Sequence, residues 1–465
     1  MPMPRPHQWL LCLATLALLP PDPAGAQECT CADALDSLTL AVERAYAGYE
    51  LKVTPWTAPH LDVRVAELRA AAPSTTPRDC PALLDRYVDW FDDGHLRVTQ
   101  LEPDAPPWLP PARGERVEPE SVRELIAAGT ASGAAGGLEG FWRSPHGTVG
   151  VVPDGDGWRA VVLDGADTSA AGLVIARLGA RDERGVHRAT FAREGHLVEH
   201  RASPVGPSLL YFPEEVWSRP GAAVPDEPFA PRFVVLDERT ALLRFPSMLP
   251  QHHPTLVELL HDDALRSRPD WIVDLRGNAG GSDGTYMPLL PLLYTDTIHT
   301  APGAIRASPA ARAHYARFID PQRPEDAPPW VRELLDAMEA QPTGMIPGGA
   351  WNLGYDSVVT MPRRVAIVVD GSNGSSAETF LLKAIQSGKV RTFGRRTAGV
   401  VDYLNPTPTQ LCRGSGLVLW SPTSIRQRFL PLDAIDPHGL QPDERIPEEA
   451  EDWIAWVHAR MHYRP

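Results

Sequence analysis

The chain has 465 residues, of which 43% are hydrophobic and 22% are charged, and its formal net charge is -15. That length is typical of two or three globular domains with a sizeable core. Nucleic acids and anionic membranes bind proteins through basic surfaces, so the acidic balance predicts that neither is a partner.

The first 26 residues have the composition of a secretory signal peptide. Arg5 lies in a short basic start, an apolar run covers 9–19, and Ala-Gly-Ala at 24–26 ends the segment. We therefore expect a signal peptide at residues 1–26 and an extracytoplasmic protein, periplasmic or secreted. The apolar run is too short to cross a bilayer, so no integral membrane segment is expected after cleavage. The alternative is an uncleaved anchor at the membrane surface.

Four cysteines remain once Cys12 leaves with the signal peptide: Cys29, Cys31, Cys80 and Cys412. An even number in an exported chain permits disulfides but does not determine their pairing. The sequence has no His/Cys cluster and no His-Glu-x-x-His motif, the usual zinc-binding patterns. We expect no metal and no other cofactor.

The rest of the sequence divides into four regions. Apolar residues at three- and four-residue steps predict an N-terminal helical region at 27–101, and His95 follows the end of its last helix. Prolines predict a linker at 102–136. Strand and turn patterns predict a small antiparallel β module at 137–225, and alternating strands and helices predict an α/β catalytic domain at 226–465.

Ser375 lies where a predicted strand turns into a predicted helix. A continuous apolar run at 365–369 predicts a buried strand, and helical apolar spacing follows at 379–387. A serine at such a junction is near unpaired helix N–H groups, which can stabilise an oxyanion. The simpler interpretation is a capping box formed with Glu378, and the segment is not a Gly-x-Ser-x-Gly elbow.

A second strand-to-turn junction follows the predicted strand at 271–275. The turn, Gly-Asn-Ala-Gly-Gly at 277–281, has neither the spacing of a phosphate-binding loop nor that of a dinucleotide-binding loop. Its glycines allow backbone N–H groups to approach a ligand closely. The turn is therefore either an oxyanion donor or a plain turn.

Three motifs occur in a fixed order: DLRGNAGG at 274–281, GSSAETFLLKAIQSGKVRTFGRRTAG at 374–399 and HGLQPD at 438–443. Together they resemble the C-terminal processing (tail-specific) serine protease family. The resemblance implies an α/β fold with a Clp protease/crotonase-like catalytic core, together with the N-terminal helical region and the β module. It also implies peptide-bond hydrolysis by Ser375.

The same resemblance implies how an oxyanion would be bound. The donors would be the backbone N–H of Ser376 and the backbone N–H of Gly280 or Gly281. Donors held at fixed positions stabilise the charge that develops during acyl transfer.

The chain differs from the best-known branch of that family, whose catalytic lysine would fall at Val400. The three lysines are Lys52, Lys383 and Lys389. Lys383 follows the serine by about 12 Å along the predicted helix. We therefore expect no Ser/Lys dyad.

The chain instead resembles the tricorn-like branch, in which a histidine and an acidic residue complete the site. These residues correspond to His95 as the base and Asp436 as the acid that orients it. Two positions depart from that branch, since Gly94 stands where it has a serine and Asp436 where it has a glutamate.

Other interpretations of these positions stay open. His438 is a rival base, and Asp433 or Asp443 is a rival acid. His95 could also simply cap a helix end, and Asp436 could form a turn before Pro437.

The sequence as a whole predicts an exported serine endopeptidase that cleaves proteins or peptides through a Ser375/His95/Asp436 acyl-enzyme mechanism. The first alternative is a non-catalytic ligand- or peptide-binding module on the same fold, because the superfamily includes binding domains. The second is an esterase or amidase that uses the same residues. The oligomeric state does not follow from the sequence.

Overall fold

The computed structural model describes residues 29–462 except 101–113, 132–136, 166–167, 194–195, 413–414, 427–429 and 431–433. The predicted signal peptide and the rival acid Asp433 lie outside the described residues.

Helices cover most of the N-terminal region and alternate with strands in the second half of the chain. Within the described residues the α-helices are α1 (Cys31–Ala45), α2 (Tyr49–Lys52), α3 (Ala58–Ala71), α4 (Cys80–Val88), α5 (Pro119–Ala131), α6 (His253–Leu259), α7 (Asp263–Arg266), α8 (Asp283–Tyr286), α9 (Leu290–Leu293), α10 (Pro309–Ala316), α11 (Pro329–Ala340), α12 (Ser376–Ala384) and α13 (Trp453–His462). Short 3-10 helices are Ala72–Ser74, Asp89–Phe91, Thr168–Ala170, Pro250–His252, Met287–Leu289 and Pro324–Asp326.

The strands form three sheets and a barrel. In the same part of the chain they are β1 (Arg97–Gln100), β2 (Gly140–Ser144), β3 (Gly147–Asp154), β4 (Gly157–Asp164), β5 (Val174–Arg181), β6 (His187–Arg193), β7 (His196–Val205), β8 (Leu209–Tyr211), β9 (Val216–Ser218), β10 (Arg232–Val235), β11 (Thr240–Arg244), β12 (Asp270–Asp274), β13 (Ile298–His299), β14 (Ala304–Ala307), β15 (Gly344–Pro347), β16 (Asn352–Leu353), β17 (Arg364–Val369), β18 (Val390–Gly394), β19 (Tyr403–Gln410), β20 (Leu417–Ile425) and β21 (Glu444–Arg445).

A six-stranded sheet in the order β10-β11-β12-β17-β18-β21 forms the centre of the predicted α/β domain. All its pairs are parallel except β10 with β11. Strand β12 is buried along its whole length, which explains its continuous apolar run. Because β12 and β17 are parallel neighbours, the turns that follow them meet at the same edge of the sheet.

The N-terminal helices pack on a second, antiparallel sheet rather than forming a separate body. Leu35, Leu38 and Val42 of α1 are buried in one core with Leu419 of β20. Strand β1, which begins two residues after His95, pairs antiparallel with β20. The sheet order is β1-β20-β14-β15, and β19 also pairs with β20. His95 is thereby attached to the C-terminal half of the chain.

Two disulfides connect the four cysteines that remain after the signal segment. Cys31–Cys80 joins α1 to α4, and Cys29–Cys412 joins the start of the described chain to the segment after β19. The sequence left this pairing open. Both bonds lie in the part of the molecule that carries His95.

The predicted antiparallel β module is a closed barrel of the eight strands β2–β9. It closes where Arg143 of β2 pairs with Ser218 of β9. Large side chains that include Trp142, Phe191 and Trp217 fill its interior. The barrel is therefore a packed core.

A helix occupies part of the segment predicted to be a linker. Helix α5 begins at Pro119, and its Val122 and Ile126 pack against the outside of the barrel. Proline is favoured at the first turn of a helix, so the last proline of the segment starts α5 instead of preventing it. Residues 102–113 and 132–136 of the predicted linker lie outside the described residues.

The α/β class, the N-terminal helical region and the antiparallel β module are thus confirmed. Among the helices that the structure describes, each is too short or too polar to cross a membrane.

Candidate active site

Ser375 occupies a strained turn between β17 and α12. Its backbone angles are φ 54° and ψ -125°, a region that residues other than glycine rarely adopt. Such a conformation costs about 1–3 kcal/mol and persists only where the surroundings impose it, most often at active sites. The strain indicates a functional turn.

The capping-box interpretation of Ser375 and Glu378 is wrong. The Ser375 side chain makes no capping hydrogen bond. The buried carboxylate of Glu378 instead accepts from the backbone N–H of Gly399 at 2.9 Å and of Val400 at 2.8 Å, and from the Thr397 hydroxyl. The donors belong to the loop at 397–400, which the local Ser-x-x-Glu spacing cannot reveal. The Ser375 hydroxyl is therefore not used as a helix cap.

Asn373 connects the serine turn to the glycine turn that follows β12. Its Nδ2 donates to the carbonyls of Leu275 at 2.6 Å and Asn278 at 3.1 Å, and its Oδ1 accepts from the Asp370 N–H at 2.9 Å. Asn373 is fully buried, so the loss of these bonds would leave polar groups unpaired. The two turns therefore form one rigid unit.

A buried ion pair supports the start of the glycine turn. Arg276 donates to both oxygens of Asp274, at 2.9 and 2.8 Å. Burial alone would raise the pKa of Asp274, but the guanidiniums of Arg276 and Arg244 outweigh it and lower the pKa to about 2. Asp274 thus stays ionised and fixes the backbone where the turn leaves the sheet.

The glycine turn lies directly against the start of α12. At Gly280 φ is 101°, and an added Cβ would lie 2.9 Å from both the Ser375 Cβ and the Ser376 nitrogen. Only glycine fits there. The Gly280 N–H, however, donates to Asn278 Oδ1 at 2.9 Å, so it is not free as an oxyanion donor.

Two backbone donors are left at this junction. Within the described part of the chain, no acceptor pairs with the N–H of Ser376 or with the N–H of Gly281. Ser376 is the first residue of α12, where the helix dipole adds positive potential. Of the two predicted glycine donors, Gly281 is therefore the one whose N–H has no acceptor among the described residues.

His95 is buried and held by a main-chain group. Its Nδ1 lies 2.6 Å from the carbonyl oxygen of Tyr403. A carbonyl only accepts, so Nδ1 carries the proton and Nε2 keeps a free lone pair. Burial lowers the pKa of His95 below its ordinary value, and the charge of Asp93 only partly offsets this. The lowered pKa favours the neutral ring, the form that a general base requires.

His95 and Ser375 are attached to the same short segment, residues 400–403. The Ser375 N–H donates to the carbonyl of Val400 at 2.8 Å, and His95 is bonded to Tyr403. A Cβ added at Gly374 would lie 3.5 Å from the Cβ of Val400. A Cβ added at Gly94 would lie 3.0 Å from the Cγ2 of Val400. Ser375 and His95 therefore both adjoin this one segment.

Asp436 is close to this segment, but it is not bonded to His95. Its two oxygens accept from the N–H of Val401 at 2.7 Å and of Asp402 at 3.1 Å. Burial, reinforced by the charges of Asp402 and Glu378, raises the pKa of Asp436 to about 7. The prediction that Asp436 orients the imidazole directly therefore needs correction, because the Tyr403 carbonyl takes that position.

Asp93 is the carboxylate that contacts His95, and the sequence interpretation missed its role. Its Oδ1 accepts from the His95 backbone N–H at 2.9 Å, and its Oδ2 accepts from the Tyr46 hydroxyl at 2.8 Å. Lys52 donates to the carbonyl of Asp92 at 3.1 Å and adds positive charge near Asp93. Asp93 lies two residues before His95 in the sequence, and this proximity was a usable signal.

The rival acid and base have other surroundings. His438 is exposed. Asp443 accepts from the backbone N–H and the hydroxyl of Thr392, at 2.7 and 2.9 Å, and so joins the C-terminal segment to β18.

The lysines of the catalytic region are bound away from the serine. Lys383 donates to the Tyr286 hydroxyl at 2.8 Å, and Lys389 donates to the carbonyls of Leu292 and Val359. Across the described residues, no group of three or more His, Cys, Asp or Glu side chains is placed to hold a metal ion.

Replacing Asp436 with asparagine is expected to lower the rate about tenfold, because one of the two backbone N–H groups would lose its acceptor. If Asp436 instead held the histidine ring directly, the loss should approach about 10,000-fold. Steady-state kinetics of Asp436→Asn beside the wild type separates these outcomes.

Comparison with known proteins finds a family model that matches part of the chain and a solved structure with a similar fold. Residues 239–446 match the profile of Peptidase family S41. A crystallised mutant of CPAF superposes with a TM-score of 0.50 and 12% identity, covering 92% of this chain and 96% of that one. The photosystem II D1 C-terminal processing protease gives 0.38 and 13%, covering 92% and 96%. The tricorn protease gives 0.40 and 13%, covering 92% of this chain and 35% of that one. No curated protein sequence matches significantly.

Proposed function

We propose that this serine-type peptidase, with its Peptidase family S41 domain at residues 239–446, is an exported endopeptidase that acts on proteins or peptides through an acyl-enzyme. The observation that carries the proposal is the strained turn at Ser375, whose hydroxyl makes no capping bond. Backbone strain that the surrounding turn imposes is typical of a nucleophile aimed at a substrate.

In the acylation step the Ser375 Oγ attacks the carbonyl carbon of the scissile peptide bond. Nε2 of His95 takes the hydroxyl proton, and the oxyanion accepts hydrogen bonds from the N–H of Ser376 and Gly281. The intermediate then collapses, the C–N bond breaks, and His95 returns the proton to the leaving amine. Water activated by His95 hydrolyses the resulting ester.

Two neighbouring groups partly offset the cost of burying the imidazolium that forms during this cycle. The Tyr403 carbonyl fixes the tautomer and accepts from Nδ1. The negative charge of Asp93 favours the protonated ring. Asp436 acts one step further away, by holding the N–H groups of Val401 and Asp402 just before Tyr403. The negative charge and the orientation are thus supplied by two groups rather than by one acid.

Export is supported by two independent features. The signal-like composition of residues 1–26 predicts translocation. The disulfides Cys29–Cys412 and Cys31–Cys80 are typical of an oxidising compartment.

The proposal is tested with an unfolded protein such as casein and with a matched pair of amide and ester substrates that share one acyl group. Wild-type protein is expected to create new N-termini in casein and to cleave the amide, whereas Ser375→Ala does neither. Cleavage of the ester alone would assign an esterase. Folded wild-type protein that cleaves none of them would contradict the proposal and favour the binding-module alternative.

A further inference from the structure

The turn between β5 and β6 of the barrel reaches into the loops of the candidate active site. At its tip Arg184 donates through Nη1 to the carbonyls of Ala398 at 2.8 Å and Thr397 at 3.3 Å. Through Nη2 it donates to the carbonyl of Pro437 at 3.0 Å. One guanidinium thus joins two separate loops of the catalytic region.

The backbone of the same turn contacts a third loop. The Gly371 N–H donates to the Arg184 carbonyl at 2.9 Å, and a Cβ added at Gly371 would lie 2.5 Å from the Arg184 Cβ. Asp182 fixes the turn by accepting from the N–H of Arg184 at 2.9 Å and of Val186 at 3.2 Å. The tip of the turn is therefore rigid and tightly packed.

Each of these three loops carries or holds a residue of the proposed site. Gly371 precedes Ser375 in the serine turn. Thr397 and Ala398 lead into Val400, whose carbonyl accepts from the Ser375 N–H. Pro437 follows Asp436. The turn between β5 and β6 therefore contacts both the turn that holds Ser375 and the loop that leads to Tyr403, the partner of His95.

A second contact between the barrel and the catalytic region lies nearby. The hydroxyl of Ser203, on β7, donates to the hydroxyl of Ser372 at 2.7 Å, and Ser203 is fully buried. Docking of the barrel on the serine turn thus involves both a side-chain pair and the turn that carries Arg184.

We propose that Arg184 is a positioning residue for peptide hydrolysis and that the barrel is a built-in support for the active-site loops. This inference rests on the proposed function. A guanidinium has donors in a fixed fork, so it can bridge carbonyls of two segments, whereas an ammonium acts as a single point. Without this bridge the loop at 397–400 loses its hydrogen bonds to the barrel. The relative positions of Ser375 and His95 are then no longer fixed.

The test compares Arg184→Met and Arg184→Lys with wild type. Arg188→Met serves as the matched control, since Arg188 is exposed on the neighbouring strand. Arg184→Met is expected to lower kcat by about 10- to 100-fold with a smaller change in KM, because a misplaced loop costs alignment more than binding. Arg184→Lys should recover only part of the rate, and Arg188→Met should behave as wild type. Equal kcat for Arg184→Met and wild type would overturn the inference.

A measurement that does not depend on catalysis separates the role of Arg184 from the proposed peptidase function. Hydrogen exchange is measured at the amides of Ser375, Gly399 and Val400, which are hydrogen-bonded in the intact loop. Arg184→Met is expected to accelerate exchange there and not in β12, whereas Arg188→Met changes neither. If wild-type protein proves inactive, the proposed function fails, and exchange still decides the role of Arg184. Unchanged exchange would refute that role.

Discussion

Replacing Ser375 with alanine is expected to lower kcat/KM for peptide hydrolysis by about 10,000-fold or more, since no other group in the site can form the acyl-enzyme. The strained backbone at φ 54° is imposed by Asn373 and Val400 rather than by the hydroxyl. The variant should therefore unfold at nearly the same denaturant concentration as wild type. Hydrolysis assays and denaturant titrations on the same preparations measure both effects.

The matched control for that substitution is Ser376→Ala. It removes a hydroxyl at the neighbouring position but keeps the backbone N–H, which is the group assigned to the oxyanion. Its activity should stay within a few fold of wild type. Ser375→Ala protein that retains most of the wild-type activity would assign the chemistry to another residue.

The rate of hydrolysis is expected to rise with pH as His95 loses its proton. Burial lowers the pKa of His95, so the midpoint should lie below about 6.5, the ordinary value for histidine. The rate rises with pH because only the neutral ring can accept the serine proton. A lower pKa of His95 extends the active pH range toward acid. Profiles of kcat/KM from about pH 4 to about pH 9 test this. His95→Ala should lower the rate at every pH and abolish this rise.

Two controls test whether the midpoint belongs to His95. His438→Gln should leave the midpoint unchanged, because His438 is exposed whereas His95 is buried. Stability must be followed at each pH, since a histidine that is neutral when folded but protonated when unfolded makes the fold less stable as pH falls. A midpoint above about pH 9 would instead indicate a lysine base.

The sheet that positions the site could be predicted from the sequence because its strands are buried on both faces. The apolar runs at 271–275 and 365–369 coincide with β12 and β17 to within a residue. Parallel neighbours end at the same edge, so the meeting of the glycine turn with Ser375 follows from the pairing of β12 with β17. The helices before His95 were equally clear, since Leu35, Leu38 and Val42 recur at helical spacing and are buried.

The details of the site could not be predicted where main-chain groups or distant loops act. The acceptor for His95 Nδ1 is the carbonyl of Tyr403, which no side-chain motif marks. The Ser-x-x-Glu spacing makes a capping box the simpler interpretation, because the partners of Glu378 lie beyond β18, at 397–400. Closure of the barrel depends on Arg143 pairing with Ser218, a contact that local patterns do not encode.

The measurement that tests the central claim most directly is labelling with a fluorophosphonate probe, followed by mapping of the modified peptide. The probe reacts only with a serine whose hydroxyl is activated and whose oxyanion is stabilised. The account predicts a single adduct, on Ser375 of the wild type, that is absent in Ser375→Ala and strongly reduced in His95→Ala. An adduct on a different residue, or no adduct on properly folded protein, would contradict it.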